Sequence, residues 1–180
     1  ARPLPTAAAP RPTTKVSMTD PDPARVVADA DVLAADLLSD GPAREALDRV
    51  RAHSWVDLVA SDRLLDDAEA VIAALATEPL AADWRDRAAS ECVLVDHTAD
   101  DHPALASAYE GNAAHVLSFD EGVTSAGPNL SLRPHVQVSL RTPAAFLTLS
   151  APASLYQAVE GREHPGPHRE PRTCPLLAPC

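Results

Sequence analysis

The sequence predicts an α/β fold in which helices cover both faces of a central parallel sheet, giving a three-layer α/β/α domain. Short apolar runs alternate with longer amphipathic segments along most of the chain, which is the pattern of repeated strand and helix units. Hydrophobic residues make up 46% of the chain, whereas aromatic residues make up only 3%. We therefore expect a core built mainly from Ala, Val and Leu side chains.

The predicted elements follow one another from residue 25 onward. Strands are predicted near residues 25–30, 56–60, 92–96, 115–118 and 135–140. Helices are predicted at residues 32–39, 42–53, 61–76, 79–90 and 102–111. Two further helices are expected to begin at Pro143 and Pro152, because proline is favoured at the first helical position. The stretch from Glu121 to Pro134 is predicted to be an irregular loop.

The helix predicted at 61–76 has a recognisable buried face. Leu64 and Ile72 lie on one apolar stripe when successive residues are turned by about 100°. Asp67 borders that stripe, whereas Asp66 points nearly the opposite way. Asp67 is therefore the better candidate for a carboxylate that faces into the protein.

Proline-rich ends set the predicted domain boundaries. The chain of 180 residues is long enough for one domain with a substantial core. Residues 1–24 and 161–180 are rich in proline and show no aliphatic periodicity, so we expect disordered tails on both sides of a domain at 25–160. No stretch approaches the roughly 20 apolar residues of a membrane span, and the start lacks the apolar segment of a secretory signal. A cytoplasmic protein without membrane association is expected.

The charge composition is strongly acidic, with a formal net charge of −11. Aspartate outnumbers glutamate, and Lys15 is the only lysine, so arginine supplies the other positive charges. This composition is typical of salt-adapted proteins, and a halophilic archaeon is the expected source. Because Lys and Arg normally neutralise nucleic-acid phosphates, any nucleic-acid binding is expected to depend on bound cations or on high salt.

Four aspartates at comparable places in the chain are candidates for a site that binds divalent metal ions. They are Asp29 after the first predicted strand, Asp67 in the third predicted helix, Asp101 before the fifth helix and Asp120 after the fourth strand. Parallel sheets build active sites at the edge formed by the carboxyl ends of their strands. A buried, ionised Asp29 also requires a compensating partner, either a metal ion or a helix amino terminus.

Two of these aspartates have a clear structural alternative. Asp29 or Asp31 would serve as the cap of the helix expected at 32–39, and we assign capping to Asp31 and a functional role to Asp29. Asp67 would pair with Arg63 one helical turn earlier.

The other two aspartates also have ordinary interpretations. Asp101 would cap the helix at 102–111, although Asp100 would do so equally well and leave Asp101 available. Asp120 would be an acidic turn residue after a strand. The combination of the four aspartates, rather than any single one, favours a site.

From Arg25 to Leu149 the chain resembles a PIN-like domain, the metal-dependent nuclease fold of toxin–antitoxin ribonucleases and RNA-processing enzymes. The resemblance covers nearly all of the part expected to be ordered, and the matching segments occur in the family's order. They are VVADADVL at 26–33, SDRLLDD at 61–67, DHPALASA at 101–108, VLSFD at 116–120 and RTPAAFL at 141–147.

The resemblance implies a metal-dependent endoribonuclease with Mg²⁺ or Mn²⁺ as its cofactor. Asp29, Asp101 and Asp120 would be the metal ligands, Asp67 would complete the set, and Ser118 would hydrogen-bond to a ligand. These four aspartates would also be the catalytic residues, because the ion would activate the water that hydrolyses RNA. RNA would be the substrate, and a homodimer or an antitoxin-like protein would be the protein partner. The sequence does not choose between a toxin and an RNA-processing role.

Three positions depart from the family's pattern. Asp67 stands where Glu is usual, Asp31 stands where Asn is frequent, and Ser118 stands where Thr is usual. The alternative to an active nuclease is therefore a catalytically inactive PIN-like module that binds RNA or a partner protein.

The segment DADV also matches the opening motif of haloacid-dehalogenase-type phosphatases, with Asp29 as the nucleophile and Asp31 as the general acid. That mechanism generally needs a cation beside the phosphoaspartate, and residues 25–160 contain no lysine, so this alternative ranks third. The sequence has no GxGxxG, GxxxxGK[ST], GxSxG or HExxH motif. His102 and His115 are expected to be surface or core residues rather than ligands.

Overall fold

The computed structural model describes residues 20–97, 102–120 and 138–167. The strands of this described part are β1 (Asp22–Ala28), β2 (Asp57–Ser61), β3 (Val93–Val95), β4 (Ala113–Leu117) and β5 (Ser139–Arg141). Its helices are α1 (Ala30–Leu38), α2 (Pro42–Arg51), α3 (Asp62–Leu75), α4 (Glu78–Glu91), α5 (Pro103–Glu110), α6 (Pro143–Leu149) and α7 (Pro152–Glu160).

The strands form one parallel sheet of five in the order β3-β2-β1-β4-β5, so the predicted α/β fold with a central parallel sheet is confirmed. The central strand β1 is apolar on both faces, and Val26 and Val27 are fully buried. The chain first builds outward from β1 through β2 to β3, and then returns to add β4 and β5 on the other side of β1. This reversal places a topological switch point between β1 and β4.

The helices pack in contact with the sheet and with one another. In the group that follows β1 and β2, α1 packs against α2 and α3, and α3 packs against α4. Helix α5 lies directly on β1, β2 and β4. Gly111 at the end of α5 permits this close approach, because a Cβ at this position would overlap the side chain of Val59 in β2.

The predicted positions of the elements agree with the structure to within a few residues. The helix starts expected at Pro143 and Pro152 are confirmed, and the Thr142 hydroxyl accepts the N–H of Ala145 as an N-cap. Helix α1 begins at Ala30, two residues before the predicted start. The irregular loop predicted for residues 121–134 lies outside the described residues.

The packed structure extends beyond residue 160. The ring of His164 lies 5.1 Å from that of His53, 6.3 Å from that of Trp55 and 5.5 Å from that of Tyr156, measured between centroids. The predicted boundaries at 25 and 160 therefore exclude the start of β1 and the His164 contacts, while residues 1–19 and 168–180 lie outside the described part.

Among the helices of the described residues, none has the length and apolar character needed to span a membrane.

A buried ion pair joins the helices away from the edge of the sheet. Arg51 in α2 donates two hydrogen bonds to Asp36 in α1, of 2.9 and 2.5 Å, and lies 3.7 Å from both Asp48 and Glu91. Burial by itself would lower the pKa of Arg51, but the hydrogen bonds and charge of Asp36 outweigh it and raise that pKa. Arg51 is therefore charged, and its contacts tie α1, α2 and the end of α4 together.

Candidate functional site

The carboxyl ends of β1 and β4 lie side by side at the switch point. Ala28 is in register with Leu117, and the N–H of Asp29 donates a 2.8 Å hydrogen bond to the Leu117 carbonyl. The N–H of Ser118, the residue after β4, donates a 3.0 Å hydrogen bond to the carbonyl of Arg141, the last residue of β5. Backbone register therefore fixes the residues that follow β1, β4 and β5 at one edge.

Asp29 is both the residue after β1 and the N-cap of α1. Its Oδ1 accepts the N–H of Ala30 at 2.8 Å, and its side chain is only 14% exposed. The amino terminus of α1 stabilises the negative charge of Asp29, as the sequence required of a buried carboxylate. The prediction that Asp31 is the cap is wrong, because α1 begins two residues early and leaves Asp31 exposed in the first turn.

Ser118 links Asp29 to Asp120. Its hydroxyl donates a 3.0 Å hydrogen bond to Oδ2 of Asp29 and accepts the N–H of Asp120 at 3.1 Å. Ser118 is 1% exposed, whereas Asp120 lies exposed at the rim. The resemblance implied that Ser118 would hydrogen-bond to a metal ligand, and in the structure its hydroxyl binds Asp29, one of the predicted ligands.

His102 brings an imidazole to the same place. Its Nε2 lies 4.0 Å from Oδ2 of Asp29, and its side chain is 40% exposed. His102 was expected at the surface or in the core, and no local sequence pattern predicts its approach to Asp29. That approach depends on the position of α5 over β1, β2 and β4, since His102 is the residue that precedes α5. We call Asp29, His102, Ser118 and Asp120 the edge cluster.

Asp67 lies apart from these contacts, in the second turn of α3. Its carboxylate is 3.3 Å from the Nε of Arg63 and its side chain is 36% exposed, which is the structural alternative considered for it. The neighbouring acids Asp62 and Asp66 bind Arg85 of α4 at 2.7 and 2.9 Å. Arginine therefore accounts for the described contacts of the acids on this part of α3.

Three of the four predicted metal-binding aspartates, Asp29, Asp67 and Asp120, lie in the described part of the chain. Asp101 lies outside the described residues, immediately before His102. Within residues 20–97, 102–120 and 138–167, no group of three or more His, Cys, Asp or Glu side chains is placed to hold a metal ion. The described part of the site brings together Asp29, Ser118 and Asp120, and adds His102 to them.

These features define an α/β protein with an acidic candidate site at a topological switch point. The chain belongs to a family of unknown function, DUF7384, whose sequence model matches residues 20–172. This span includes the whole sheet and the edge cluster. No curated protein and no solved structure matches the chain.

Proposed function

We propose that the protein is a metal-dependent endoribonuclease of PIN-like type that hydrolyses RNA phosphodiester bonds at the edge cluster. The observation that carries this proposal is the hydrogen-bonded series Asp29, Ser118 and Asp120 at the ends of β1 and β4. Two acidic residues that follow the adjacent strands β1 and β4 are linked there through Ser118, at the type of edge where parallel sheets bind ligands.

The donor groups of the cluster fit Mg²⁺ or Mn²⁺, which favour carboxylate oxygens. Each oxygen of Asp29 accepts one described hydrogen bond, and a carboxylate has about four acceptor positions, so capacity for an ion is left. Asp29 and Asp120 would hold the ion together with Asp101. When bound, the ion would supply an activated water and stabilise the charge that develops on the phosphate. Ser118 would orient Asp29.

The charge of the protein makes this cation important for binding RNA. A net charge of −11 repels the phosphate backbone, and arginines of the described structure are engaged with acids, as for Arg51 and Arg85. Divalent cations at the cluster would reverse the local sign of the potential. We therefore place the activity in a cytoplasm of high salt content, and a homodimer or an antitoxin-like partner stays a prediction of the resemblance.

The test is Mn²⁺ binding by calorimetry in molar KCl, followed by an RNA-cleavage assay on the same samples. The wild type should bind Mn²⁺ and cleave RNA, whereas Asp29→Asn and Asp120→Asn should lose both. Asp31→Asn is the matched control, because Asp31 is an exposed acid of the same helix, and it should retain both properties. A folded wild type that binds no Mn²⁺ would overturn the proposal.

A second candidate function is a catalytically inactive PIN-like module that binds RNA or a partner protein. One observation favours it: the carboxylate of Asp67 pairs with Arg63. A protein that binds RNA but does not cleave it in Mn²⁺ would have this function.

A further inference from the structure

We propose that Phe119 is a stacking platform for a base, and that the RNA segment bound at the edge cluster is single-stranded. The inference rests on the proposed function, since it adds a base contact to the same site. Phe119 lies between Ser118, which binds Asp29, and Asp120, which is a proposed metal ligand. It would determine which form of RNA the site accepts.

The exposure of Phe119 is unusual for this chain. The six Trp, Tyr and Phe residues all fall in the described part, and Phe119, at 43% exposure, is the only one that is not buried or partly buried. The other five rings are those of Trp55, Trp84, Tyr109, Phe146 and Tyr156. A chain that buries its other aromatic rings thus leaves one at the rim of its candidate site.

The local backbone places the ring next to the carboxylate. Ser118 is 1% exposed and turns its hydroxyl toward Asp29, whereas both Phe119 and Asp120 are exposed, so the chain turns outward after β4. Consecutive Cα atoms are about 3.8 Å apart, which is within the span of one nucleotide. A nucleotide with its phosphate at Asp120 can therefore present its base to the ring of Phe119.

The charge of the protein favours stacking over phosphate contacts. Lysine and arginine contacts weaken steeply as salt rises, and this acidic chain has only one lysine. Stacking of a base on an aromatic ring does not depend on net charge and tolerates any base. A base inside a duplex is already stacked on both sides, so that only an unpaired base can reach Phe119. Single-stranded RNA is therefore the substrate class that fits this rim.

The inference can be tested by fluorescence anisotropy with a short labelled RNA in molar KCl, with Ca²⁺ replacing Mn²⁺ and a gel to verify that the RNA stays intact. Phe119→Ala should weaken binding of the single strand about tenfold. Phe119→Trp should restore it, whereas Phe119→Leu, which keeps an apolar side chain without a ring, should not. The matched control is Leu75→Ala, which removes an exposed apolar side chain about 20 Å along α3 from its start at the sheet edge and should change nothing.

Three further comparisons make the result specific. The factor lost in Phe119→Ala should be the same at a lower KCl concentration, because the ring carries no charge. The same RNA annealed to its complement should bind equally well to wild type and Phe119→Ala. An equal loss on single-stranded DNA would also support stacking, since a ring does not contact the 2′-hydroxyl. An equal loss on the duplex, or no binding of single strands by the wild type, would overturn the inference.

The outcomes separate this inference from the proposed function. If the wild type cleaves RNA with Mn²⁺ and Phe119→Ala binds and cleaves normally, the role of Phe119 is wrong and the nuclease stands. If single strands bind through Phe119 and Mn²⁺ supports no cleavage, the nuclease is wrong and the stacking platform stands.

Discussion

Helix α1 carries two largely buried aspartates with opposite surroundings. Asp36, 7% exposed, is held by a two-hydrogen-bond contact with Arg51. Asp29, 14% exposed, accepts hydrogen bonds from Ser118 and a backbone N–H, and the Nε2 of His102 lies 4.0 Å from its Oδ2. One acid is neutralised inside a helix junction, while the other is presented at the edge of the sheet.

The difference bears on the proposed metal site, because arginine holds Asp36 whereas the described contacts of Asp29 are with a backbone N–H, a hydroxyl and an imidazole. Other described acids are matched with arginine in the same manner as Asp36, including Asp62 and Asp66 with Arg85. An arginine against Asp29 would compete with a metal ion for the carboxylate. Stabilising Asp29 through a helix terminus and a hydroxyl instead leaves it able to bind a cation.

The largest effect on stability is expected for Asp36→Ala. Removing one partner of a buried ion pair leaves Arg51 buried with only the longer contacts to Asp48 and Glu91, and this should lower the free energy of unfolding by about 3 to 5 kcal/mol. Urea unfolding in molar KCl measures the change. Asp40→Ala is the control, since Asp40 is 91% exposed in its ion pair and its loss should cost less than about 1 kcal/mol. Equal losses of unfolding free energy in the two variants would show that the Asp36 ion pair contributes no more to stability than an exposed ion pair.

Asp29→Asn should lower the affinity for Mn²⁺ strongly and the stability less than Asp36→Ala does. Asparagine keeps the oxygen that accepts the Ala30 N–H, but its amide nitrogen cannot accept the Ser118 hydroxyl, so the free energy of unfolding should fall by no more than the about 1.5 to 3 kcal/mol of that hydrogen bond. Affinity for Mn²⁺ should fall about a hundredfold, because the charged ligand is lost. In the reciprocal variant, Asp36→Asn, the folded fraction should bind Mn²⁺ with unchanged affinity. A strong loss of stability in Asp29→Asn would mean that Asp29, like Asp36, is a structural acid.

Ser118→Ala tests the link between Asp29 and Asp120. The variant removes a buried hydrogen bond to a charged acceptor, which is worth about 1.5 to 3 kcal/mol of unfolding free energy. It should also weaken Mn²⁺ binding about tenfold, since the carboxylate of Asp29 loses its orientation. Ser118→Thr keeps the hydroxyl and should retain the affinity. Unchanged affinity in Ser118→Ala would show that the hydroxyl supports only the fold.

The elements could be predicted from the sequence because their signals are local. Apolar runs, helical periodicity and the first-turn prolines Pro143 and Pro152 act within a few residues. The choice between Asp29 and Asp31 as N-cap was not local, since both are good caps. It is decided by the hydrogen bond from the Asp29 N–H to the Leu117 carbonyl of β4, which holds Asp29 in an extended conformation, so that the helix begins at the next residue.

The candidate site was less predictable than the elements, because it depends on contacts between residues that are far apart in the sequence. Asp29 and Asp120 followed from the rule that parallel strands share a carboxyl edge, and in the structure the Ser118 hydroxyl links the Asp29 carboxylate to the Asp120 backbone N–H. The approach of His102 depends on the position of α5 over β1, β2 and β4, which periodicity does not encode. For Asp67, the sequence offered both the inward helix face and the pairing with Arg63, and the structure shows the pair formed at 3.3 Å.

His115 in β4 represents a third way of burying a titratable group, without a counter-ion. Its ring packs on Phe146 at 5.8 Å, and neither ring nitrogen has a hydrogen-bond partner in the described structure. Burial, together with the charge of Arg141, lowers the pKa of His115. The unfolded chain therefore takes up a proton near the ordinary pKa of about 6.5 while the folded chain does not, and stability falls as the pH drops below that value.

Replacing this imidazole should remove part of the acid sensitivity. Urea unfolding of wild type and His115→Leu at neutral and mildly acidic pH should show a smaller loss of stability on acidification in the variant. The leucine is neutral at both pH values, so it contributes no proton uptake on unfolding. The same pH dependence in both proteins would mean that His115 is protonated in the folded state.

The smallest effect is expected for Asp67→Asn. The Arg63 pair is partly exposed and one helical turn in length, so its loss should change the free energy of unfolding by about 0.5 kcal/mol or less. Because Arg63 holds the carboxylate, affinity for Mn²⁺ should stay within about twofold of the wild type. A loss of affinity comparable to that of Asp29→Asn would instead place Asp67 among the metal ligands, as the sequence pattern predicts. The ion would then have to displace Arg63, and Arg63→Gln would tighten Mn²⁺ binding rather than leave it unchanged.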